Sequence, residues 1–180
     1  MRYSRAVLWA REVYRKQELG ERKVQVTLCI GPAGTGKSFC AKSDGCYFYD
    51  GGFWNGYAGE KVVLMDDFGG HICTPIEFQR ICDGYPYRVN VKGGWEWFRG
   101  ETLRITSNYI PDAWWKDGTR KCLAAIHRRI HEVHYHDRYM HFVRFTSDEW
   151  VGPGTVTAMD KFLLYYKELF PGVYNIKEVL

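Results

Sequence analysis

The sequence predicts an α/β layered fold with a mainly parallel central sheet. Three observations predict it. Gly31-Pro32-Ala33-Gly34-Thr35-Gly36-Lys37-Ser38 fits G-x-x-x-x-G-K-[ST], and it lies between a β-rich run, Val24 to Ile30, and a segment that can be helical, Phe39 to Lys42. A second apolar run, Lys61 to Met65, ends in Asp66-Asp67. Further strand-like and helical runs alternate along the chain, the pattern of strands joined by helical crossovers. Two β-hairpin insertions and a helix ahead of the first strand depart from strict alternation.

Composition narrows the class. A chain of 180 residues suits one domain with a sizeable core, and 46% hydrophobic with 17% aromatic residues excludes a disordered protein. The formal charge of +4 permits an acidic partner such as nucleic acid without demanding one. Cys29, Cys40, Cys46, Cys73, Cys82 and Cys122 never fall in a C-x-x-C pair, and no signal peptide precedes them. They read as reduced, mostly buried thiols of an intracellular protein. No apolar run approaches the length of a membrane span, so no membrane partner is expected.

Element by element, Ser4 to Gln17 reads as an amphipathic helix. Ser4 caps it, Ala6, Trp9, Ala10, Val13 and Tyr14 recur at helical spacing, and Gly20 ends it. Packing on the core and contact between subunits are equally open roles for it. After the glycine loop come a short strand, Cys46 to Tyr49, and an aromatic loop, Asp50 to Gly59. Thr74 caps the next helix, Pro75 takes its first position, Glu77 closes a capping box, and the helix runs to about Cys82. Tyr87 to Val91 and Trp95 to Phe98, joined through Lys92-Gly93-Gly94, read as a hairpin. Thr102 to Thr106 is a strand, Pro111 to Trp115 a turn or short helix, and Thr119 to Arg129 a helix with Leu123, Ile126 and Ile130 on one stripe. Ile130 to Tyr135 and Tyr139 to Phe145 form a second hairpin, and Thr155 to Phe170 a terminal helix. These elements group as 1–21, an N-terminal helix that can serve oligomerisation; 22–150, the nucleotide domain; and 151–180, a C-terminal helix and tail.

The chemistry starts at the glycine loop. Glycines let the backbone wrap phosphate oxygens, because no Cβ obstructs and positive φ costs little. Successive N–H groups then point at the anion. Gly31, Pro32, Ala33, Gly34, Thr35, Gly36, Lys37 and Ser38 would bind the nucleotide, with Lys37 on the β- and γ-phosphates and the Ser38 hydroxyl on Mg²⁺. A strand that ends in two acids delivers them to the ligand edge of an open sheet. Asp66 is assigned to Mg²⁺ and Asp67 to the attacking water. Leu103 to Ser107 delivers Asn108 to the same edge, where its amide can hydrogen-bond both γ-phosphate and water.

In this order and spacing the motifs resemble the superfamily 3 helicase (AAA+-like ATPase) domain of replication-associated proteins of circular single-stranded DNA viruses, of circovirus-like type. The residues that carry the resemblance are Gly31 to Ser38, Glu60 to Gly69, Tyr85 to Gly94, Ile105 to Asn108 and Ala125 to Ile130, within about residues 22 to 145. The resemblance implies a P-loop NTPase that uses ATP and Mg²⁺, works as a ring homo-oligomer, a hexamer, and translocates on single-stranded DNA in rolling-circle replication. It places ATP between subunits, with the neighbour supplying an arginine finger. Arg128 and Arg129 match the family's paired arginines, with a slight preference for Arg129. It implies DNA contact through a channel hairpin, matched by Lys92 and Gly93, with Arg88 adding charge. Tyr85, Tyr87, Trp95 and Trp97 could stack on bases, though strand-face packing is the commoner role for such residues. The resemblance also implies the host nucleus. The stretch before residue 22 is too short for the family's nicking endonuclease, so a helicase segment without nickase or ligase activity is expected.

His127, His131, His134, His136 and His141 invite a metal reading, but no cysteine stands at zinc-finger spacing, and structural or solvated roles are favoured. Two other functions stay open. A P-loop small-molecule kinase also uses such a loop and an arginine pair. A nucleotide-gated DNA-binding or assembly module would hydrolyse slowly.

Overall fold

The computed structural model describes residues 5, 6, 9, 13, 20–115, 122–139, 141–147 and 156–171. Of the expected N-terminal helix, Arg5, Ala6, Trp9 and Val13 are helical; its other residues lie outside the described ones.

Among the described residues, eight strands form two sheets. The main sheet has six, β1 (Gln25–Ile30), β2 (Tyr47–Phe48), β3 (Val62–Met65), β6 (Thr102–Ser107), β7 (Glu132–His136) and β8 (Phe142–Thr146), in the order β2-β3-β6-β1-β7-β8. All neighbours are parallel except β7 and β8, which pair antiparallel at the edge. β4 (Arg88–Val91) and β5 (Gly94–Trp97) make a separate antiparallel pair. The second hairpin thus extends the main sheet, while the first stands apart from it.

The sequence explains this layout. Val26, Leu28, Val63, Leu64, Leu103, Ile105 and Val133 are buried, as near-continuous apolar strands of a sheet covered on both faces require. Four α-helices punctuate the strands among the described residues: α1 (Lys37–Ala41), α2 (Pro75–Cys82), α3 (Leu123–His127) and α4 (Ala158–Leu169). Thr74 caps α2 by accepting from the Glu77 N–H at 3.2 Å. The expected capping box is not closed: the Glu77 carboxylate instead accepts from the Tyr49 hydroxyl at 3.2 Å, a pull from the neighbouring aromatic loop. The closed box is found on α4, where Thr157 and Asp160 bond reciprocally. α4 also adds Ala158, Met159, Phe162 and Tyr166 to the same core as the sheet. α3 is shorter than expected, with Arg128 and Arg129 in the turn after it; residues 119–121 lie outside the described ones.

The aromatic loop is a packing unit. Trp54 is buried, stacks on Tyr49 with ring centroids 3.9 Å apart, and meets Tyr57 and Phe98 edge-on. Its backbone N–H donates to the Asn90 carbonyl at 2.8 Å, which ties the hairpin to the main body. The six cysteines are unpaired; Cys29, Cys73 and Cys82 are buried and Cys40 is exposed. Among the described residues no helix is long and apolar enough to cross a membrane.

Candidate active site

Parallel pairing puts the carboxyl ends of β1, β3 and β6 side by side. Ile30 pairs with Ser107, and Met65 with Ile105. The residues after each strand therefore meet: the P-loop after Ile30, Asp66-Asp67 after Met65, Asn108 after Ser107. β7 closes the other flank, with Tyr135 opposite Ile30.

The P-loop depends on its glycines in two different ways. Gly34 and Gly36 hold φ of +82° and +80°, the left-handed region that favours glycine. Gly31 is needed for close approach, since a Cβ there would lie 2.0 Å from the His136 backbone oxygen at the end of β7. Lys37 is buried, with Nζ donating to the Pro32 carbonyl at 2.7 Å; the Thr35 hydroxyl donates to the same oxygen at 2.9 Å. Burial pulls the Lys37 pKa down, and the fields of Asp67 and then Asp66 oppose it. The ammonium thus donates to a loop carbonyl within the field of two carboxylates.

The acids are held by β6. The Thr106 hydroxyl donates to Asp66 Oδ1 at 2.6 Å and accepts from the Asp67 N–H at 2.8 Å. Asp67 has φ of +51°, an uncommon conformation that aspartate tolerates better than most residues and that strained functional turns retain. The Asn108 side-chain amide donates to Asp67 Oδ1 at 2.9 Å. Ser107, fully buried, donates to the Phe68 carbonyl at 2.6 Å and accepts from Trp114 Nε1 at 3.0 Å, locking the turn after the acids. Sequence reasoning places Thr106 and Ser107 on a strand and misses these roles. A threonine inside an apolar strand is an ordinary β residue, and nothing local marks its partner forty positions upstream.

The paired arginines stand elsewhere. They precede β7, whose first residue, Glu132, pairs with Thr27, so they lie at the amino end of the sheet. β1 spans six residues, which at roughly 3.3 Å per residue separates that edge from the P-loop by about 17 Å. Arg129 donates Nε to Asp83 Oδ1 at 2.8 Å, Nη2 to Asp83 Oδ2 at 3.0 Å and Nη1 to the Ala125 carbonyl at 2.6 Å. Arg128 is exposed. Both line a cleft of about 890 Å³ together with Arg22, Lys23, Asp83 and His131.

At the hairpin, Lys92 and Gly93 form the exposed turn, with Gly93 at φ +87°. Arg88 stacks over Trp95 at 4.7 Å and Trp97 at 5.7 Å. Trp97 is buried and Tyr87 half-buried, whereas Tyr85 and Trp95 are exposed. The histidines disperse to separate partners. His127 meets Asp112 at 2.8 Å, His134 meets Glu132 at 3.0 Å, His141 meets Asp137 at 3.3 Å, and His131 Nδ1 accepts from the Val26 N–H at 3.1 Å. Among the described residues no group of three or more His, Cys, Asp or Glu could hold a metal ion.

The family model for RNA helicase matches residues 27–109, from β1 through Asn108. The replication-associated protein of pigeon circovirus is 38% identical over 128 residues, covering 68% of this chain and 40% of that protein. Those of canary circovirus (40% over 119 residues, 64% and 40%) and porcine circovirus 1 (35% over 125 residues, 66% and 40%) are similar. The chain spans about 40% of the length of these relatives. It carries a superfamily 3 RNA helicase domain, the domain of a family of ATPases, and is homologous to the replication-associated proteins of circoviruses.

Proposed function

We propose that the chain is an ATP- and Mg²⁺-dependent helicase segment that translocates on single-stranded DNA, in viral rolling-circle replication, and hydrolyses ATP between neighbouring copies in a ring. The observation that carries this is the separation of charges. The phosphate loop, both acids and Asn108 share one edge of the sheet, and the paired arginines occupy the other. An arginine about 17 Å away cannot reach a γ-phosphate on its own P-loop, but it can meet that of a neighbour stacked head to tail.

The residues present suit this chemistry. The Ser38 hydroxyl and the Asp66 carboxylate are two oxygen donors, enough for Mg²⁺, which keeps several waters and needs no protein cage. When bound, the ion neutralises charge on the β- and γ-oxygens. Lys37 exchanges its Pro32 carbonyl for the β- and γ-phosphates. Asp67, held by Asn108, accepts a hydrogen bond from the attacking water and takes its proton at Oδ2, while Asn108 reports the γ-phosphate. Exposure favours Arg128 as the finger, since Arg129 is engaged within its own chain. Lys92 and Gly93 at the hairpin tip, with Arg88 beside them, contact the DNA backbone without reading sequence.

Turnover measured against protein concentration, with and without single-stranded DNA, tests the reading. The rate per chain is expected to rise with concentration and again with DNA. A rate per chain independent of concentration would refute shared sites. A monomer that transfers phosphate to a small acceptor would establish the kinase instead.

A further inference from the structure

We infer that Asp83 is a positioning residue for the arginine finger, so that it governs hydrolysis in the neighbouring copy rather than in its own. The inference rests on the shared-site reading above and adds a residue to it. α3 is only five residues long, too short to hold its own conformation, so its C-terminal turn is placed by tertiary contacts. Two are apolar, through buried Ile126 and Ile130. A third joins His127 to Asp112 at 2.8 Å, and the fourth is the two-pronged pair between the Asp83 carboxylate and Arg129, whose side chain is 13% exposed. With Nη1 on the Ala125 carbonyl as well, the guanidinium is fixed in plane and direction. Arg128, its chain neighbour, inherits that placement.

Asp83 is itself anchored. It ends α2, donating its N–H to the Gln79 carbonyl at 2.9 Å, and its own carbonyl accepts from Arg22 Nη2 at 2.7 Å. The Arg22 N–H donates to the Gly84 carbonyl at 2.8 Å, and a Cβ on Gly84 would lie 2.4 Å from the Arg22 oxygen. Backbone therefore packs on backbone at the residue that follows Asp83.

The test uses the full chain. Asp83→Asn keeps size and the helix end but weakens the grip on Arg129. Turnover is expected to fall roughly ten- to a hundredfold with little change in KM for ATP, as for a misplaced catalytic group. Asp83→Glu should recover part of it. Mixing gives the decisive reading. Asp83→Asn copies have sound P-loops, and Lys37→Ala copies have sound fingers, so mixed assemblies should exceed both parents. Asp83→Asn mixed with Arg128→Ala should recover nothing, because both fail on the same side. No recovery with Lys37→Ala, in mixtures where Arg128→Ala does recover, would overturn the role of Asp83 and leave the shared site standing. If Arg128→Ala also fails to recover with Lys37→Ala while Asp83→Asn does, Arg128 is not the finger and the role of Asp83 holds. Full turnover by Asp83→Asn would overturn the inference outright, and failure of both mixtures would overturn it together with the shared site.

Discussion

Replacing Thr106 with valine tests whether β6 holds the acids. Valine matches threonine in shape, so the change removes a hydroxyl and little else. Thr106 is 1% exposed, and its hydroxyl donates to Asp66 Oδ1 at 2.6 Å while accepting from the Asp67 N–H at 2.8 Å. Loss of a hydrogen bond to a charged group is worth about 1.5–3 kcal/mol, and a stranded backbone N–H costs about 1–3 kcal/mol more. Asp66 and Asp67 lie at the sheet edge where water can replace part of this, so the expected loss is about 3 kcal/mol. With a urea m-value of about 2 kcal/mol/M, the midpoint should drop by about 1.5 M. Urea unfolding followed by tryptophan fluorescence measures it. Thr106→Ser, which keeps the hydroxyl, should shift the midpoint by less than half as much. ATP turnover should fall more steeply in Thr106→Val than in Thr106→Ser, because the hydroxyl also aims Asp66. A Thr106→Val midpoint within about 0.25 M of the parent, near 0.5 kcal/mol, would refute the bridge.

Lys37→Ala should abolish ATP turnover while leaving the fold intact by circular dichroism; near-normal turnover would sink the site assignment. Gly31→Ala should destabilise by at least about 2 kcal/mol, because its Cβ meets the His136 carbonyl rather than a movable side chain; an unchanged melting temperature would contradict that packing. Lys92→Ala should reduce the DNA-stimulated rate and spare the basal one, whereas equal loss of both argues against a DNA-contacting tip. Burial holds the His131 pKa below its ordinary 6.5, with Nδ1 accepting from the Val26 N–H, so the unfolded chain takes up the proton first. Its contribution to stability is therefore complete above pH 6.5 and declines as pH falls below that value; a stability curve that His131→Asn does not flatten in this range would count against it.

The parallel sheet is legible because its strands carry near-continuous apolar runs and because G-x-x-x-x-G-K-[ST] requires a strand before it and a helix after it. α2 is legible from Thr74 and Pro75, which act locally. Features that depend on a distant partner do not show. Glu77 sits at capping-box spacing, yet Tyr49, far upstream, takes its carboxylate. The second hairpin looks equivalent to the first in sequence. β7 pairs with β1 because Val133 and Tyr135 add to the core, whereas the hairpin of β4 and β5 is anchored through Trp54 and Phe98.

The same rule divides the site. The meeting of the P-loop, Asp66, Asp67 and Asn108 is legible because each follows directly on a strand, and parallel pairing aligns strand ends. The arginines are legible by their motif, but which of the two is held within its own chain is not, and the reason is physical. Ile126 and Ile130 fix which face of the chain is buried, and either arginine can project beside that stripe. The choice is made by Asp83, at the end of a different helix, which satisfies both prongs of Arg129. Local periodicity carries no trace of a carboxylate 46 positions away. With that pair in place, Arg129 is the fixed point and Arg128 the residue turned outward. On the proposed shared site the two arginines then differ in kind: one would belong to the architecture of its own chain, the other to the chemistry of the next.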